Sequence, residues 1–80
     1  MVMTNIEKLK NAFVEGLEMS IEDVENATME SIDKWDSIGQ MSLIAIIEDA
    51  FGVEFEPDEV MRFTSFAAGV DILKNHNIEF

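Results

Sequence analysis

Few residues of this chain have the chemistry to form a reactive site. His76 is its one histidine and cysteine is absent, so neither a nucleophilic triad nor a thiolate or histidine metal site can be assembled. Carboxylates are plentiful, with 17 Asp and Glu against 5 Lys and Arg, but an exposed acidic face is ordinarily just solvated. The window from Asp33 to Ile44 has the outline of a calcium loop and fails it. Trp35 is no ligand, Ile38 stands where the turn glycine belongs, and Ile44 stands where a bidentate Glu is needed. No glycine-rich phosphate loop is present. What remains is Ser37, within Trp35-Asp36-Ser37-Ile38-Gly39, at the point where a long polar segment turns into an apolar run. A serine at such a junction can be an N-cap. That is the plain reading, but such a serine can also carry a phosphodiester, because free backbone N–H groups and the helix dipole stabilise added negative charge. The residues alone leave both roles open. They indicate no catalytic residue and no metal ligand, so the chain is expected not to be an enzyme.

The elements that would hold Ser37 in place are legible from spacing. Ile6, Leu9, Phe13 and Leu17 recur at helical intervals, which predicts a first helix from about Thr4 or Asn5 to about Leu17, capped by one of its first two residues. From Glu18 to Trp35 the periodicity lapses among turn and cap residues. A loop this long in a small domain is expected to pack on the core, with a helical turn around Ile21 to Asn26 and Trp35 closing it. A second helix is predicted from about Ser37 to Phe51, stopped by Gly52. At about 100° per residue, Leu43, Ile44, Ile47, Ala50 and Phe51 share one broad face, read as the core side. Ile38, Met41 and Ala45 form a narrower apolar stripe nearly opposite, with Glu48 and Asp49 flanking its end. Such a stripe rimmed by acids suits a partner's contact surface, the alternative being that the long loop covers it. Val53 to Glu56 reads as an extended connector. Pro57 then opens a third helix of one or two turns. Thr64 or Ser65 caps a last helix, with Phe66, Val70 and Leu73 inward, ending at Asn75-His76-Asn77. The expected fold is all-α, a four-helix bundle with a long loop between helices 1 and 2 and a short third helix.

Composition bounds the rest. Eighty residues are enough for one domain, taken as residues 1–80. A formal charge of -12 repels nucleic acid and anionic membranes and attracts basic protein patches. No basic, apolar leader opens the chain and no run approaches the roughly 20 apolar residues of a membrane span. A cytoplasmic, monomeric protein binding neither nucleic acid nor membrane is expected.

Trp35-Asp36-Ser37-Ile38-Gly39, together with Ile47-Glu48-Asp49-Ala50-Phe51-Gly52-Val53 and Phe63-Thr64-Ser65-Phe66, resembles the acyl carrier protein family over nearly the whole chain. In that family an Asp-Ser-Leu motif opens the second helix, and its serine carries 4'-phosphopantetheine. The resemblance implies that Ser37 takes this arm from coenzyme A and that Asp36 assists the phosphopantetheinyl transferase. Acyl intermediates would ride as thioesters on the arm's thiol. Ile38, Met41 and Ala45 would meet acyl-loading and acyl-processing enzymes, and Glu48 and Asp49 would meet their basic patches. Gly39 and Ser42 stand where carriers of central fatty-acid synthesis usually have acids, and Trp precedes Asp-Ser. Both departures point to a specialised acyl, polyketide or lipid pathway. The alternatives are a peptidyl or aminoacyl carrier protein, and a non-catalytic acidic adaptor that binds a partner through helix 2.

Overall fold

The computed structural model describes residues 3–80. Each helix begins where its cap chemistry places it. Thr4 and Glu7 form a reciprocal capping box, the Glu7 N–H donating to Thr4 Oγ1 and the Thr4 N–H to Glu7 Oε1, and α1 runs Asn5–Leu17. A 3₁₀ segment, Ile21–Asn26, occupies the long loop where one turn is expected. The second helix, α2, spans Ser37–Phe51, and Gly52 ends it with φ 64, a left-handed conformation that glycine adopts at little cost. After an extended connector come α3, Pro57–Arg62, with its proline in the first turn, and α4, Phe66–Asn75, capped by Ser65. Among the described residues no strand forms; Thr28 and Ser65 make an isolated antiparallel bridge.

The core is built around Phe13, which is fully buried. Trp35 and Phe66 meet it edge-on with ring centroids 5.2 and 5.4 Å away, and Phe63 lies at 6.1 Å. Leu9, Leu17, Leu43, Ile47 and Leu73 complete it from α1, α2 and α4. The long loop packs as expected: Val24, Ala27 and Trp35 are buried. Its backbone is tied to the α3–α4 corner, the Met29 N–H donating to Thr64 O and the Phe66 N–H to Ala27 O, each at 3.0 Å. By contrast α3 buries none of its own residues.

One reading of α2 needs correcting, and an alternative left open for it falls away. Ala50 is exposed, although its angle places it with the core face, because the α2 core side is covered only as far as Ile47 with Phe51 half-buried beyond. The long loop does not cover the opposite stripe: Ile38 and Met41 remain 77% and 74% exposed. Among the described residues no helix is long and apolar enough to cross a membrane.

Candidate functional site

The hydroxyl of Ser37 sits at the first residue of α2, exposed. It is not the cap. Asp36 holds that position, with extended backbone and a carboxylate that accepts the Gly39 N–H at 2.9 Å. Of the two roles left open for Ser37, the cap therefore falls to its neighbour: a carboxylate one residue earlier satisfies the free donor and leaves the hydroxyl with no hydrogen-bond partner among the described residues. A helix start presents further unpaired N–H groups and the positive end of its dipole toward this spot.

The chain around Ser37 alternates sharply between buried and exposed residues. Trp35 is 2% exposed, Asp36, Ser37 and Ile38 face solvent, and Gly39 and Gln40 are buried. Two contacts enforce this. A Cβ on Gly39 would run into the Lys34 carbonyl oxygen and come within 3.1 Å of Leu17 Cδ2, so the loop closes on the helix only because this residue has no side chain. Gln40 then joins three segments. Its Oε1 accepts the Trp35 indole N–H, and its Nε2 donates to Val60 O at 2.9 Å and Phe63 O at 3.1 Å. This buried glutamine escaped the sequence reading. The available signal was one amide side chain at an inward angle inside an apolar run.

Of the residues singled out for partner contact, Ile38, Met41, Ala45 and Asp49 are exposed. Glu48 is only half-buried and has a second occupation, its Oε2 accepting the Phe55 N–H at 2.8 Å and so fixing the connector after Gly52. A depression of ≈ 280 Å³ beside Ser37 is lined by Gly16, Glu18, Lys34, Asp36, Ile38, Gly39 and Ser42. Across it Lys34 Nζ pairs with Glu18 Oε2 at 2.6 Å, and this ion pair holds the Glu18 carboxyl below the ordinary carboxylate range. His76 lies away from this site. Its Nε2 contacts both oxygens of Glu59 at 3.0 and 2.9 Å, with its ring edge-on to Phe55, so the end of α4 is docked against α3.

The residues present fit a phosphate-linked prosthetic arm. One exposed hydroxyl, with no partner among the described residues, stands at a helix start whose cap is supplied by its neighbour. No solved structure matches the chain. The family model described as "Phosphopantetheine attachment site" matches residues 7–73, from the first turn of α1 to the last turn of α4. The chain therefore belongs to the phosphopantetheine-attachment family of carrier proteins, whose covalently attached 4'-phosphopantetheine is its cofactor.

Proposed function

We propose that this chain is an acyl carrier domain whose arm is attached at Ser37. The observation that supports this most directly is the division of labour at the head of α2. Asp36 caps the helix, and the Ser37 hydroxyl is left exposed and unbonded. A transferase can then take up that hydroxyl without dismantling the cap. In the modification the Ser37 oxygen bonds to the phosphorus of the pantetheine arm, the pyrophosphate bond of coenzyme A breaks, and adenosine 3',5'-bisphosphate leaves. The hydroxyl proton passes to the transferase. The thiol of the arm supplies the thioester chemistry that this cysteine-free chain lacks.

Partner enzymes would read Ile38, Met41 and Ala45, with Asp49 the freer of the two acids toward a basic patch, because Glu48 already accepts the Phe55 N–H. Apolar side chains 74–77% exposed on a helix beside the attachment point form a small docking face. The absence of an acid at Gly39 has a local cause in the Lys34 carbonyl. It fits service to a specialised acyl pathway better than to general fatty-acid enzymes.

The test is intact mass after incubation with coenzyme A and a broad-specificity phosphopantetheinyl transferase, with Ser37→Ala alongside. A gain of one phosphopantetheine, lost in the variant, is expected. The same gain in Ser37→Ala would move the attachment elsewhere. Loading trials with acyl against aminoacyl groups then separate this carrier from a peptidyl one.

A further inference from the structure

An apolar cargo on an arm at Ser37 would be driven to leave water, and the nearest apolar space is the interior of the bundle. The way in is shut. The residues two before and three after Ser37 both turn inward, Trp35 at 2% and Gln40 at 8% exposed, and they are hydrogen-bonded to each other. The Gln40 amide also donates to the carbonyls of Val60 and Phe63, so the long loop, α2 and the C-terminal end of α3 are joined by one buried polar clasp. Directly behind it stand aromatic rings with no gap between them: Trp35 meets Phe13 at 5.2 Å and Phe63 at 6.4 Å, and Phe13 meets Phe63 at 6.1 Å. Among the described residues no buried side-chain polar atom lacks a partner. A chain entering here would break three hydrogen bonds in a place where water cannot replace them. Among the described residues, the depressions beside Thr28 and Ser65, Lys74 and Phe80, Asp36 and Ser42, and Asp23 and Ile32 are lined by no member of the buried core.

We infer that this carrier holds its cargo outside the bundle, and that Gln40 with Trp35 is the specificity-determining clasp that keeps it there. The cargo class that suits this is a short or polar acyl group, such as a two- to four-carbon or hydroxyacyl unit, which tolerates water while it travels. A long saturated chain has no shelter here. The inference rests on Ser37 as the attachment point.

The experiment loads the full chain from acetyl-coenzyme A and from octanoyl-coenzyme A with a broad-specificity transferase, and follows mass, melting temperature and the Trp35 indole N–H resonance. Equal melting temperatures, with an indole signal unmoved between the two loaded forms, are the expected result. An octanoyl form more stable by about 5 °C or more, or an indole signal displaced only in that form, would show the tail inside and overturn the inference while leaving Ser37 as the attachment point. A chain that gains no mass from either thioester would overturn both readings together.

Discussion

At the residue scale, the head of α2 assigns separate tasks to adjacent side chains. Asp36 supplies the cap and Ser37 the free hydroxyl, so substitutions of the two should act differently. Asp36→Ala is expected to cost about 1 kcal/mol of stability through the lost bond to the Gly39 N–H. Ser37→Ala, which removes an exposed group with no partner, should stay within about 0.5 kcal/mol of wild type. Urea denaturation of both variants measures this, and a larger loss for Ser37→Ala would return the cap to the serine. Gly39 is constrained more severely. Because its missing Cβ makes room for the Lys34 carbonyl, Gly39→Ala should cost roughly 1–3 kcal/mol by overpacking. The same urea melts test it, and a neutral effect would mean that the loop shifts at no cost.

At the scale of elements, α3 is the one that its own burial does not hold. It is six residues long with none buried. It is retained by the Gln40 amide at its C-terminal end and by the contact of His76 with Glu59. Gln40→Ala would leave the Trp35 N–H and the Phe63 carbonyl without a partner, Val60 O keeping the Phe63 N–H, at about 1–3 kcal/mol for each group that water fails to reach. Amide hydrogen exchange should then rise in α3 before α1 or α2, and uniform exchange would count against the clasp. The first helix offers a pH test. The Glu7 carboxyl is held below the ordinary 4.5 by the Thr4 backbone N–H and then by the Thr4 side chain. A group with a lowered folded value stabilises fully above its unfolded value, and that contribution disappears as pH falls through the folded one. A melting-temperature gap between wild type and Glu7→Ala, present at pH 7, should therefore narrow once the pH drops below 4.5. A gap unchanged down to about pH 2 would mean the capping box contributes nothing through its charge.

At the scale of the whole molecule, charge is the dominant tension. The chain carries -12 on a body with a radius of gyration of 11.4 Å. Lys10, Lys34 and Arg62 each hold one acid, Glu25, Glu18 and Asp58, and such surface pairs contribute little. Glu54, Glu56 and Asp58 meanwhile lie exposed close together in sequence. Self-repulsion of this kind erodes a small core. The melting temperature should rise between about 0.01 M and about 0.15 M salt, as the screening length falls from about 30 to about 8 Å. A flat response over that range would show that the acids are far enough apart not to matter.

The sequence by itself determined the boundaries of the helices to within about one residue. Thr4, Gly52, Pro57 and Ser65 mark ends through bonds and angles only a few residues away, and information that local survives without a fold. It also determined that Ile38, Met41 and Ala45 share a face, since that follows from helical geometry alone. Only the tertiary structure decided whether that face was covered, because periodicity groups residues without saying what lies against them. The fold likewise decided which of Asp36 and Ser37 is the cap, a choice made by about one residue of register. It gave Gln40 partners 20 and 23 residues distant and Glu48 a backbone N–H seven residues on. A buried polar group takes whatever partner the completed packing brings within about 3 Å, and no spacing in the chain announces that in advance.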